Sequence, residues 1–319
     1  MSRVVAAATT ALTLVSMATL VPGRAGAESW SKTYEAGASA ELQLLADDAH
    51  VHVVGWSEPR IRIDVETEGW KFGPGGLRLV ESQQDGRVRF ELREPKFEFH
   101  FFDLGRRRVR IEVHTPERTR LDLKTGDGNV GCEGVAGSAR IDTGDGNITV
   151  DGLTGDIALH TGDGHVDARG LDGSLVASTG DGRVRLGGRF DALDVTTRDG
   201  GVTLDIAPGS RVSEGWRVRS GDGPMVLRLP TDLKTTLDVH SGDGGITVDI
   251  PVGMLGTVHE NALRATMNGG GPELRVRTGD GSIVIEPFAA DVADMHPNGA
   301  WDDKQTGGHR HGIRPVHGR

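Results

Sequence analysis

Ile141-Asp142-Thr143-Gly144-Asp145-Gly146-Asn147-Ile148-Thr149-Val150 contains the unit from which this 319-residue chain is built. The Gly-Asp-Gly at its centre returns at a fixed spacing. Asp127, Asp145, Asp163 and Asp181 stand at equal intervals, and Asp199 continues the series in a copy that reads Thr197-Arg198-Asp199-Gly200. Before these aspartates Leu123, Ile141, Leu159, Ala177 and Val195 form an apolar column, and after them Val130, Ile148, Val166, Val184 and Val202 form another. The residues between these columns are mostly polar. Alternation with period two on both sides of a tight corner predicts two short strands per copy. A fixed period means that the copies stack, each burying the apolar face of its neighbour.

The chain therefore reads as all-β, a single-domain parallel β-solenoid (β-helix) of ~18-residue rungs with Gly-Asp-Gly corners. Strict repeats cover about 121–204. Looser copies stand at Ser220–Gly223, Ser241–Gly244 and Thr278–Gly281 downstream, and at Asp85-Gly86 and Asp47-Asp48 upstream. Longer and unequal gaps separate these outer copies, so the outer rungs must carry insertions or lack the motif. Composition agrees with this reading. There are 48 glycines and one tyrosine, aromatics make up 4%, and glycines and prolines interrupt every helical pattern beyond the N-terminus.

Residues 1–27 have the form of an export signal: Arg3, an apolar run from Val4 to Val21, and Ala25-Gly26-Ala27 as the cleavage site. An uncleaved anchor is the alternative, and the Ala- and Thr-rich run favours cleavage. The domain then spans 28–286, followed by a tail, 287–319, expected to be disordered. Removing the signal takes away Arg3 and Arg24 and no acid, moving the net charge from −10 to −12. An acidic exported chain argues against nucleic acid and anionic membranes as partners, and no other segment could span a bilayer. The single cysteine, Cys132, lies in an inward column, so it reads as a core residue and excludes an intrachain disulfide.

The exported N-terminus, the block Asp48 to Trp56, the repeated corners and the closing Asn268-Gly269-Gly270-Gly271-Pro272 with Arg277 to Ile283 resemble the bacterial "putative adhesin" family. The resemblance covers about 33–286. It implies an exported β-solenoid of otherwise unknown function and supplies no catalytic residues.

Stacked corners would line up Asp127, Asp145, Asp163, Asp181 and Asp199 about 5 Å apart. Such a row could recruit Ca²⁺, a cation that takes several oxygen ligands. One carboxylate per rung instead favours a structural role, each aspartate accepting its own turn's N–H groups while the glycines supply positive φ. Thr125, Thr143, Thr161, Thr179 and Thr197 share the inward parity and predict a hydroxyl ladder at the corner rather than nucleophiles. Gly126-x-Gly128-x-x-Gly131 matches a dinucleotide fingerprint only by letter, because its glycines belong to the repeat and no helix follows. His160 and His165 flank Asp163 but sit in columns of surface residues. His296, His309, His311 and His317 are scattered through the tail.

Glu94 to Arg110 departs from the repeat. Phe97, Phe99 and Phe101 alternate with Glu98 and His100 before a turn into Arg106, Arg107 and Arg108, which predicts a hairpin with one aromatic face. As a cap it would close the N-terminal rungs; left exposed it would be a binding patch beside a basic cluster. The cost of leaving three phenylalanines in water favours the cap.

Function divides into two classes. One is a non-catalytic adhesin or envelope scaffold that binds a glycan or envelope protein through its strand faces. The alternative is a polysaccharide-active β-helix lyase or hydrolase, which needs clustered acids, arginines or histidines on long loops. Only the stretches between Ile206 and Trp216 and between Pro251 and Gly271 offer such loops, and both are poor in acids. An acyltransferase on a hexapeptide helix is a third class, but its six-residue apolar step is absent. The expectation is a non-enzyme without a required cofactor, located in the periplasm, on the cell surface or secreted.

Overall fold

The computed structural model describes residues 19–22, 27–37, 40–95, 107–254 and 259–289, and these are all-β. Successive copies pair in parallel, offset by one full repeat. Val130, Ile148, Val166, Val184 and Val202 form one ladder, and Leu121, Ala139, Ile157, Leu175 and Leu193 the other. All ten side chains are buried, so the apolar columns form a core between two strand faces.

Each rung turns twice. The Gly-Asp-Gly corner joins the two faces on one side. On the other, the strands Ile148–Thr161 and Val166–Thr179 run through a second corner where Gly152 and Gly155 lie at φ 74° and 106°, and Gly170 and Gly173 at 63° and 135°. Positive φ belongs to this second corner, where the strand bends without breaking its ladder.

At both ends the order of rungs in space departs from their order in the chain. The strand Glu273–Thr278 lies between Trp216–Ser220 and Thr235–Ser241, while Ile283–Pro287 lies between Met225–Leu229 and Ile246–Val248. Likewise Ala40–Ala46 lies between Arg87–Arg93 and Thr119–Lys124, and His50–Trp56 between Arg108–Pro116 and Val130–Ala136. The long gaps between outer copies are excursions in which the chain builds a farther rung, or returns to fill a nearer one.

Antiparallel strands terminate the stack. Ala262–Met267 covers Thr235–Ser241 at one end; Arg78–Gln84 covers Arg87–Arg93 at the other, with Ala27–Glu35 on Arg60–Glu68 beside it. Buried Trp30, Tyr34, Trp70, Leu77 and Phe90 plug the N-terminal end, the Trp30 and Phe90 rings 5.4 Å apart. The Tyr34 hydroxyl donates to Glu81, which also pairs with Lys32 at 2.6 Å.

Phe97, Phe99, Phe101 and Arg106 lie outside the described residues, as does the tail from residue 290. Of residues 1–27, only Thr19–Pro22, paired antiparallel with Glu28–Ser31, and Ala27 are described. No helix among the described residues is long and apolar enough to cross a membrane.

Candidate functional site

The repeated corner is a stacking device in which each residue type has a neighbour in the adjacent rung. The Thr161 hydroxyl lies 3.1 Å from the Gly144 carbonyl and 2.8 Å from that of Gly146, one donor shared between two acceptors of the preceding corner. Thr143 reaches Gly126 and Gly128 in the same way, and Thr125 reaches Asp47 and Ala49. Ser241 and Thr278 continue the pattern.

Two side-chain ladders run along the outside of the corner. Asp48 Oδ1 accepts the Asp127 N–H at 3.2 Å, and Asp127 Oδ1 accepts that of Asp145 at 3.4 Å. Two positions after the aspartate, His50 Nδ1 accepts the Asn129 N–H, Asn129 that of Asn147, Asn147 that of His165, and His165 Nδ1 that of Arg183, all at 2.8–3.1 Å. Burial and the Arg110 and Arg108 guanidinium groups push the His50 ring below the usual imidazole range. The neutral ring with a bare Nδ1 is also the form that can accept this bond.

Two expectations are corrected here. Where a bond is resolved, the aspartate accepts from the next rung rather than from its own turn. The corner glycines are not at positive φ. They are glycines because stacked corners approach so closely: a Cβ on Gly164 would stand 2.6 Å from the Gly146 carbonyl carbon and 2.7 Å from Thr161 Oγ1.

The aspartates Asp127, Asp145, Asp163, Asp181 and Asp199 form an exposed column, and Arg198 reaches Asp181 at 3.4 Å. Among the described residues no three His, Cys, Asp or Glu side chains group as a metal site. His160 bonds Ser178 at 2.8 Å. Cys132 is fully buried, and desolvation pushes its thiol up to about 12. Arg107 lies over the Trp70 ring, 4.4 Å from its centroid, and Arg108 is an exposed residue of the strand Arg108–Pro116. The stretch between Ile206 and Trp216 folds onto the core, burying Ser210 and Val212. The stretch between Pro251 and Gly271 supplies the antiparallel end strands.

Among the described residues an open trough of ≈ 680 Å³ lies on the outer face of the strand that precedes the corner. It crosses seven rungs, from Glu41 to Glu214 and Arg217. Small side chains make its floor: Ser138, Ala158, Ser174 and Ala192, with Val176 55% exposed at the centre. Charged residues stand towards both ends, Arg140 paired with Asp142 at 2.8 Å and Arg217 with Asp194 at 3.1 Å, and exposed Asp156 lies in the central rung beside Ala158 and Ser174. Composition along the outward columns carries the signal for this trough, since small residues interrupt columns otherwise rich in charge. It was not among the sites expected from the sequence.

A family model described as Toastrack DUF4097 matches residues 64–286. No curated protein matches the chain. Among solved structures, a "putative cell adhesion protein" from Clostridium sporogenes is 14% identical, with 82% of this chain and 99% of that chain covered and a TM-score of 0.32. A "putative lipid binding protein" from Parabacteroides distasonis is 13% identical over 81% and 96%, with a TM-score of 0.45. A "putative adhesin" from Parabacteroides merdae is 12% identical over 81% and 95%, with a TM-score of 0.44. With well over half of its length matched, the chain belongs to the Toastrack DUF4097 family.

Proposed function

We propose that this protein is an exported, non-catalytic binding module of the cell envelope or cell surface, with the trough face as its contact surface. The observation that carries this reading is the trough itself. It is open to solvent, its centre is a window of small side chains in which, among the described residues, Asp156 is the one charged lining residue, and the charged groups at its ends are already matched in part by opposite charges of the same chain. Such a surface suits contact along an extended partner, whereas hydrolysis or elimination on a sugar chain needs acids held at a cleft around the scissile bond. The corner carboxylates support the same reading, because Asp48 and Asp127 each hold the amide of the next rung.

Glycan arrays and pulldown from envelope fractions, using residues 28–319 with and without calcium, test it. Retention that Val176→Arg abolishes is the expected result. Release of unsaturated or reducing sugar ends from an envelope polysaccharide would overturn it in favour of the enzyme.

A further inference from the structure

The strand face that carries the trough has ten parallel strands, bordered by an antiparallel strand at each end. In spatial order the strands contain Arg89, Gln43, Asp122, Arg140, Ala158, Val176, Asp194, Arg217, Arg275 and Asp238 at equivalent outward positions. The midpoint of this column falls between Ala158 and Val176, in the window of small residues. Reflected about that midpoint, the charges are complementary: Arg140 is matched by Asp194, Asp122 by Arg217, and Arg89 by Asp238. Gln43 is matched by Arg275. The pattern exists only in space, because the interleaved end rungs put Arg275 before Asp238 and Arg89 before Gln43.

We propose that the partner of this face is a second copy of the same chain, the two solenoids lying face to face with antiparallel axes. This rests on the reading of the trough face as the contact surface. A two-fold axis along the strand direction maps the column onto itself reversed, so every contact occurs twice. Val176 packs on Ala158 of the partner subunit at the centre, where Ser174 and Ala192 leave room for it. Asp156 faces Ser174 of the partner subunit beside this contact, Arg140 and Asp194 of the two copies flank it, and Asp122 and Arg217 lie one rung farther out.

Ten strands at about 4.8 Å and five residues at about 3.3 Å give a face of roughly 800 Å² per copy. That is close to the ~800 Å² per partner of a standard interface. Two like-charged meetings lie in the adjacent columns, Glu41 with Glu273 and Lys124 with Arg219. Both glutamates already pair with arginines of their own chain, Glu41 with Arg87 and Glu273 with Arg275. Lys124 facing Arg219 remains as a repulsive contact. The expected assembly is therefore a reversible, salt-sensitive dimer.

Sedimentation of residues 28–319 over a concentration series, at low and high salt, reads the dimer constant. Arg140→Glu and Asp194→Arg are each expected to weaken it by at least about tenfold, and the double variant R140E/D194R to restore it to within about threefold, since the exchanged side chains again meet opposite charges across the interface. Thermal melts establish that each variant is folded. Lys124→Glu, which turns the repulsive contact into an attractive one, is expected to tighten the dimer and gives an independent reading. A chain that stays monomeric, or a dimer indifferent to the charge swap and to K124E, overturns the proposal. Such a monomer still retained on envelope material in a Val176-dependent way would reject self-pairing and keep the binding reading; loss of both would reject both.

Discussion

Replacing Gly164 by alanine tests whether close stacking, rather than backbone freedom, dictates the corner. The added Cβ would stand 2.6 Å from the Gly146 carbonyl carbon and 2.7 Å from Thr161 Oγ1, and closer still to the Gly146 oxygen. Ordinary carbon contacts lie at about 3.5–4.0 Å, so the corner must lift by roughly 1 Å. Lifting stretches the bond from Thr161 to Gly146 at 2.8 Å and compresses the bond from Thr179 to Gly164, also 2.8 Å, so that both leave their favoured geometry. Two weakened bonds at about 1 kcal/mol each and overpacking of about 1–3 kcal/mol give an expected loss of about 3–5 kcal/mol.

Gly187→Ala is the control. Its Cβ would meet only Asp205, at 3.7 Å, and its φ is not positive, so a neutral effect or a gain of about 0.4–1 kcal/mol is expected from the stiffer unfolded chain. Urea titration followed by far-UV circular dichroism measures both, and hydrogen exchange at the flanking corner amides localises the damage. If Gly164→Ala costs less than about 1 kcal/mol, or no more than Gly187→Ala, the stacking argument fails.

Thr161→Val removes the donor shared by the Gly144 and Gly146 carbonyls and is expected to cost about 1–3 kcal/mol; Thr161→Ser should cost far less, because serine already fills this role at Ser241, and equal losses in urea titration would refute the ladder. Because the folded protein holds His50 below its unfolded pKa, its neutral ring stabilises the fold fully above about pH 6.5, and this contribution is lost as pH falls through the lowered folded value. His50→Asn, which supplies the acceptor used by Asn129 and Asn147, should flatten the acid side of the melting-temperature profile relative to wild type, and an unchanged profile would contradict this. Cys132, with its buried thiol held up to about 12, should resist iodoacetamide in the folded chain at mildly alkaline pH and react on unfolding; rapid labelling of the native protein would show that the core opens there.

Much of this architecture was legible because its causes are periodic. Inward columns such as Leu123, Ile141 and Leu159 follow from a two-residue alternation that recurs with every rung, and the threonine column follows from the same parity. What was misread has causes that act between rungs. A local view of Gly-Asp-Gly suggests positive φ and a self-contained turn, yet the Gly164 constraint comes from Gly146, and the Asp127 carboxylate serves Asp145. Spacing alone cannot say whether Asp243 or Asp280 stacks on Asp222, since both have the same corner. The trough stayed hidden for a related reason: its floor joins Ala158, Val176 and Ala192 from separate rungs, and its place at the centre of the face depends on the rung order.

Interleaving also changes how such a stack holds together. In a simple solenoid the last rung in sequence is the last in space, so unfolding can start at a chain end and proceed one rung at a time. Here the rung 273–287 is interior, with Trp216–Ser220 on one side and Thr235–Ser241 on the other. Taking it out leaves the outer rung and the antiparallel Ala262–Met267 without the surface on which they rest. The rung 40–56 holds the same position at the other end, bridging Thr119–Lys124 to Arg87–Arg93. At the C-terminal end the outermost rung is therefore formed by a mid-chain segment whose two ends both lead back into the stack, which restricts fraying there to an excursion closed at both ends; at the N-terminal end one face is bordered by Ala27–Glu35, which can fray from the chain end. The strict repeats supply a regular face, and the interleaved ends extend it to ten parallel strands between the antiparallel end strands, setting both the position of the small-residue window and the charge pattern on either side of it.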